Sequence, residues 1–216
     1  DRLVRSVQEN EQAIRQYELQ ALASQINPHF LYNTLDTIVW MAEFNESKRV
    51  VEVTKSLATY FRLALNNGNE QIQLKSEIEH VRQYLFIQQQ RYGDQLNYRI
   101  EELASYDDYL VPKLILQPLV ENAIYHGIKE VSRPGEIRLR VYEDDHHLVI
   151  SVYDNGQGFD SIMKEEARDK LVRQGGIGLS NVDKRLKLQF GEAYHMEWES
   201  QPDQFTEIRL YLPLNL

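Results

Sequence analysis

Leu148-Val149-Ile150-Ser151-Val152-Tyr153-Asp154-Asn155-Gly156-Gln157-Gly158 is the stretch on which the fold turns. Its apolar run with alternation at Leu148, Ile150 and Val152 reads as a strand. The chain then breaks into an acid, an asparagine and two glycines, which taken alone is a strand-ending turn. Further strands lie around it. Leu96, Tyr98 and Ile100 alternate, as do Ile137, Leu139 and Val141, and Ile208, Leu210 and Leu212. Four or five strands are predicted, mostly in hairpin order around Glu143-Asp144-Asp145. Lys113 to Ile128 and Leu179 to Phe190 fall between them with helical spacing, so the chain after Gly93 is mixed α+β.

Before Gly93 nearly everything reads as helix. Val50, Val53, Leu57, Tyr60, Phe61 and Ala64 predict one helix over Glu46 to Asn66, stopped near Asn66-Asn67-Gly68. Ile78, Val81, Leu85 and Gln88 predict another, up to Arg91-Tyr92-Gly93. Leu3, Val7, Asn10, Ile14, Tyr17, Ala21 and Ser24 follow a 4-3-4-3 spacing, either a weak coiled-coil seam or one solvated amphipathic helix. Three segments are expected: a coiled-coil helix over 1–24, a helical pair over 25–93, and an α/β domain over 94–216.

Composition narrows the chemistry. The chain has 216 residues, 42% of them hydrophobic, enough to bury a core. The absence of cysteine excludes disulfides, thiol nucleophiles and cysteine-based zinc sites. The net charge is −9, with the acid concentrated after Gly93, so no basic face for nucleic acid is expected. Leu19 to Leu35 carries no charge, yet holds too many polar groups to cross a bilayer. The start at Asp1, with no leader sequence, is read as a cut from a larger protein.

Two further elements bear on the site. Gly175-Gly176-Ile177-Gly178-Leu179-Ser180-Asn181 opens a helix, either as a flexible connection or as backbone that admits phosphate oxygens to a helix N-terminus. Leu116-Gln117-Pro118-Leu119-Val120-Glu121-Asn122-Ala123-Ile124-Tyr125-His126-Gly127 has an apolar stripe that leaves Asn122 and His126 together on another face. An Asn carboxamide is a hard neutral ligand suited to Mg²⁺, and His can donate to phosphate.

Taken in order, these elements resemble the ATP-binding family shared by histidine kinases, Hsp90, gyrase and MutL. Asn122 with His126 is similar to its N box, Asp154-x-Gly156-x-Gly158 to its G1 box, and Gly176-x-Gly178-Leu179 to its G2 box. Thr206 fits the late adenine-site threonine, although Phe205 stands where a glycine is usual. The resemblance implies an α/β sandwich in which Asp154 accepts the adenine amine and Asn122 ligates Mg²⁺. It also implies that Gly176 and Gly178 meet phosphate and that Phe159 to Gln174 forms a lid.

The helical half carries Gln25-Ile26-Asn27-Pro28-His29-Phe30-Leu31-Tyr32-Asn33-Thr34-Leu35. Asn27 and Pro28 either start a helix or kink one, and both readings leave His29 accessible. A neutral imidazole is a competent nucleophile toward phosphorus, and Asn33 lies one turn along the same face. This segment resembles the phosphoacceptor motif of the LytS/YesM-type sensor histidine kinases, and Glu79 to Gly93 matches their linker helix. Phe30 stands where commoner histidine kinases carry an acid, so Asp36 and Glu121 are the candidate proton acceptors for His29. The resemblance implies a homodimeric four-helix bundle, ATP and Mg²⁺ as cofactors, and autophosphorylation on His29. Transfer to an aspartate of a response regulator would follow. It also implies the cytoplasmic part of a bacterial membrane receptor, tied to the membrane only through a missing N-terminal part. An ATPase clamp and a degenerate kinase are the other classes; a clamp does not account for a His-bearing helix ahead of the ATP domain.

Overall fold

A computed structural model describes residues 28–65, 70–159 and 176–214. The seam predicted over residues 3–24 and the lid residues after Phe159 lie outside them. The chain divides into two compact units, residues 1–54 and 55–216.

In the first unit, helix α1 (Pro28–Glu43) starts on the predicted proline, whose missing N–H has no partner to lose at a first turn. Phe30, Thr34 and Met41 are buried on it, and the Thr34 hydroxyl donates to the Phe30 carbonyl at 2.8 Å. Tyr32, Leu35, Val39 and Trp40 remain exposed, as does Phe44 just beyond the helix. The helix closes on Asn45, in the left-handed region at φ 60°, with Glu46 N–H donating to the Met41 carbonyl. That is the cap expected of a polar residue able to adopt positive φ. Helix α2 (Ser47–Ala64) follows, within two residues of the predicted span, and carries the chain into the second unit. Its Val53, Leu57, Tyr60 and Ala64 are buried at the predicted spacing.

The second unit is built on a five-stranded sheet. Its strands are β2 (Leu96–Glu101), β4 (Gly135–Asp144), β5 (His147–Asp154), β6 (His195–Gln201) and β7 (Phe205–Pro213), in the order β2-β4-β5-β7-β6. Only β2 and β4 run parallel. The register aligns Leu139 with Val152 and Val152 with Ile208, then Val141 with Ile150 and Ile150 with Leu210. One face of the sheet is therefore continuously apolar, and these side chains are all buried. The β4–β5 hairpin turns at Asp145 and His146, both at positive φ, as a two-residue turn matching strand twist requires. Strand β6 was not among the alternations named above, although Met196 and Trp198 alternate with Glu197 and Glu199; it lies at the edge of the sheet, and most of its residues are exposed or half-buried.

Helices cover the apolar face. α3 (Leu74–Tyr92) packs on β2 and on α4 (Leu116–Asn122), and α5 (Gly176–Phe190) packs on α4. α3 stops at Gly93, at φ 57°, whose N–H donates to Gln89. By packing, α3 thus belongs with the sheet, and Gly93 marks a change of secondary structure without a break between compact units. Two short strands, β1 (Gln71–Gln73) and β3 (Leu110–Pro112), pair antiparallel and were too brief to give a periodic signal. The single helix predicted over Lys113 to Ile128 is in fact segmented. Leu114 sits at φ 59°, α4 spans seven residues, and a π-helical turn over Ala123–Gly127 and a 3₁₀ turn over Ile128–Glu130 follow. π-Helical turns inside helices concentrate at functional sites.

Candidate active site

Asp154 is the last residue of β5 and stands opposite Thr206 of β7 in the register. Its side chain is buried and accepts one hydrogen bond among the described residues, from Gly156 N–H at 2.9 Å. Burial raises its carboxyl from 3.8 to about 7, and the Gly156 N–H opposes the rise. Thr206, also buried, lies 3.1 Å from the Ser200 hydroxyl. Ser200 donates its proton to the Phe205 carbonyl and accepts from Phe159 N–H. Thr206 must therefore be the donor between the two hydroxyls, which leaves its lone pairs as acceptors.

Space explains the glycines around this carboxylate. A Cβ on Gly127 would overlap the Asp154 carboxylate, and one on Gly156 would overlap the Gly127 backbone. Gly158, at φ 60°, lies against the Gln201 carbonyl. The turn after β5 is thus threaded between the end of the π-helical turn and the β6–β7 hairpin. Gln157 N–H donates to Gly127, and the Gln157 carbonyl accepts from Asp203 N–H. Gly156 and Gly158 serve first to admit backbone beside backbone.

α4 leads into Gly127 and carries the next group of predicted residues. Its first turn is held by Glu77 of α3, a fully buried carboxylate that accepts from Leu114 N–H and Leu116 N–H, each at 2.9 Å. An anion at a helix N-terminus satisfies donors that have no intrahelical partner. Asn122 ends α4 half-buried, and His126 is exposed in the π-helical turn. Neither side chain takes a hydrogen bond among the described residues. Glu121 instead accepts from Gln117 at 2.9 Å, and Gln117 donates also to the Tyr60 hydroxyl at 2.9 Å. Tyr60 stacks on His80 with ring centroids 4.4 Å apart. His80 is buried, its ring nitrogens have no partner among the described residues, and burial lowers its pKa to about 4, so it is neutral. Glu121 therefore belongs to a buried polar cluster, and adjacent helical residues diverge too far for it to share a face with Asn122.

Gly176 opens α5, Leu179 is buried, and Gly178 has so little room that an added Cβ would stand 3.2 Å from Pro118. The first turns of α4 and α5 thus lie against each other. In the other unit His29 is exposed on the first turn of α1, with Asn33 one turn on and Asp36 exposed beyond it. The Asn33 Nδ2 is buried without a partner among the described residues. The structure gathers Asp154, Thr206, Gly156 and Gly158 into one cradle; Asn122 and His126 stand on the elements that lead into Gly127 beside it, and Gly176 and Gly178 on α5, which packs against α4. His29 and Asn33 lie in the other compact unit.

Some contributing residues were not singled out from the sequence. Gly127 stood within the quoted motif, and its conformational need appears only beside Asp154. Ser200 and Glu77 carry no local signal. Lys129, whose Nζ lies 4.6 Å from the Tyr125 ring centroid, is the cation next after the π-helical turn.

Comparison with known proteins is consistent with this arrangement. Residues 17–96 match the histidine kinase model, and residues 107–216 match that of the histidine kinase-, DNA gyrase B-, and HSP90-like ATPases. Sensor histidine kinase YesM of Bacillus subtilis is 35% identical over 205 residues, covering 95% of this chain and 35% of that protein. Sensor histidine kinase BtsS of Escherichia coli is 32% identical over 200 residues, covering 93% of this chain and 34% of that protein. The chain thus spans about a third of the length of these relatives. Among solved structures, the histidine kinase domain of the Erythrobacter litoralis EL346 blue-light activated histidine kinase shares the fold. Its TM-score is 0.51 at 16% identity, over 91% of this chain and 93% of that one. A helical region precedes an α/β sandwich, the motif residues fall in the order their family requires, and both family models match: the chain belongs to the sensor histidine kinases, closely related to those of the YesM type, with an ATPase domain like those of DNA gyrase B and HSP90.

Proposed function

We propose that this chain phosphorylates itself on His29 with ATP and passes the phosphoryl group to an aspartate of a response regulator. The observation that carries the reading is the buried carboxylate of Asp154, short of donors at the end of a strand and faced by the Thr206 hydroxyl. An adenine amine supplies the missing N–H, and a purine without that amine does not. Asn122 and His126, whose side chains take no hydrogen bond among the described residues, would meet the phosphates from one side, and the start of α5 with Gly176 and Gly178 from the other.

The donor set fits a magnesium ion held mainly by its substrate. No group of three or more acidic or histidine side chains suited to a metal occurs among the described residues. Asn122 would supply a neutral oxygen, with phosphate and water completing the shell. When bound, the ion would neutralise charge on the phosphates. His29 would form an N–P bond to the γ-phosphorus as the bond to the bridging oxygen breaks and ADP leaves. The imidazole proton would pass to a carboxylate, Glu121 or Asp36.

The exposed Tyr32, Leu35, Val39 and Trp40 on α1 support a homodimer through the helical region. No described helix is long and apolar enough to cross a membrane. The length of the relatives supports placing this chain as the cytoplasmic part of a membrane sensor. The test is incubation with Mg·ATP labelled on the γ-phosphate, wild type beside His29→Gln. Acid-labile label on wild type and none on the variant is expected. Label that persists in His29→Gln, or survives acid, would overturn the assignment.

A further inference from the structure

Arg133 lies in the segment leading into β4, outside every motif quoted above. Its guanidinium is taken up by backbone carbonyls. Nε and Nη2 reach the Asn155 carbonyl at 3.2 and 2.7 Å, and Nη2 also lies 3.0 Å from the Gly156 carbonyl and 2.7 Å from that of Asp203. One cation therefore joins the turn after β5 to the β6–β7 turn, whose strands carry Ser200 and Thr206. The same segment grips the turn a second time through Asn155. That side chain accepts from Glu136 N–H at 2.7 Å and donates to the Pro134 carbonyl at 3.2 Å.

The Asn155 carbonyl and the Gly156 N–H belong to a single peptide group. Arg133 holds its oxygen, and its N–H is the one hydrogen-bond donor to the Asp154 carboxylate among the described residues. A planar peptide fixed at its oxygen has its N–H direction fixed as well. A cation on the carbonyl also polarises the amide and strengthens that donation.

We propose that Arg133 is a positioning residue for adenine recognition, acting through the Asn155–Gly156 peptide to aim the Asp154 carboxylate at the purine amine. The inference rests on the adenine reading of Asp154. Without Arg133, that peptide loses the hold on its oxygen while the chain on either side stays anchored through Asn155 N–H and Gln157 N–H; it can then tilt between those anchors, and the carboxylate loses the orientation by which it distinguishes an amine. The residues proposed above to meet the phosphates, Asn122, His126, Gly176 and Gly178, lie on other elements and should keep their role.

The test compares binding of ATP with that of purine riboside triphosphate, which is ATP without the amine, by calorimetry on the 216-residue chain and its Arg133→Ala and Arg133→Lys variants. Wild type is expected to favour ATP. Arg133→Ala should weaken ATP by about tenfold, the scale of one oriented hydrogen bond to a charged group, and leave the analogue unchanged. Arg133→Lys, which keeps the charge and loses the fork, should retain part of the preference. If Arg133→Ala weakens both nucleotides equally, the arginine merely supports the fold. If the preference survives intact, it has no part in recognition. Either result overturns the proposal while leaving the adenine reading standing. If wild type itself shows no preference for ATP, the adenine reading of Asp154 fails and the proposal falls with it.

Discussion

Replacing Asp154 by asparagine should remove adenine recognition and make the nucleotide-free protein more stable. Burial moves this carboxyl from 3.8 to about 7, and at about 1.4 kcal/mol per pH unit that amounts to a penalty of about 4 kcal/mol when the group is ionised. The native state holds a proton through the interval in which the unfolded chain has lost it. Stability is therefore fully present below the unfolded value and drains away as pH rises toward about 7. The carboxamide introduced by Asp154→Asn would accept from Gly156 N–H as the carboxylate does, with no charge to bury. Its NH₂ would lack an acceptor, returning about 1–3 kcal/mol of the gain. A net rise of about 1–3 kcal/mol, or about 2–10 °C in Tm, is expected near pH 8. Thermal unfolding followed by circular dichroism without nucleotide, near pH 8 and near pH 5.5, measures it. The advantage of Asp154→Asn should shrink by about 2 kcal/mol at the lower pH, where wild type is protonated. A variant less stable than wild type near pH 8, or an advantage independent of pH, would refute the reasoning.

The cradle and the helical region give further expectations. Gly127→Ala drives a methyl into the Asp154 carboxylate and should cost about 1–3 kcal/mol in urea unfolding, with loss of nucleotide binding. Glu77→Ala leaves the buried Leu116 N–H and the half-buried Leu114 N–H without their acceptor; at about 1–3 kcal/mol for the buried one, the unfolding midpoint should fall, and less so in Glu77→Gln. Replacing Trp40, 67% exposed on α1, by glutamate tests the proposed homodimer: sedimentation should find wild type as a dimer and the variant as a monomer. Melting of the sheet unit should be unchanged.

How far the sequence led depended on the range of each signal. Alternation at Leu139, Ile150 and Leu210 is a local consequence of one buried face, so the central strands were readable. β1 and β3 span three residues each and present no period. The helix predicted through Asn122 kept its stripe, but its winding changes at Ala123, where the chain must bring Gly127 against Asp154. No propensity encodes that encounter. The same holds for Arg133, an ordinary residue in sequence whose role exists only because Asn155 and Asp203, far apart in the chain, turn their carbonyls toward it.

Glu77 and Asp154 show why burial of an acid does not by itself mark a functional site. Both carboxylates are almost wholly removed from water, and burial pushes both upward. Glu77 stands at the start of α4, where two N–H groups that no helix could satisfy are given to it. Its hydrogen bonding is answered from inside the fold, and its role is to hold α4 in place. Asp154 ends a strand, where the sheet supplies no spare donors, and receives a single N–H from its own turn. Buried carboxylates otherwise collect several donors. The shortfall at Asp154 goes with its neighbours, since Gly127 and Gly156, where any Cβ would overlap its Oδ1, have no side chain with which to offer another donor. An acid kept short of donors by the packing that surrounds it gains its second hydrogen bond only from a ligand, so its cost to the empty fold and its selectivity for an amine have the same origin.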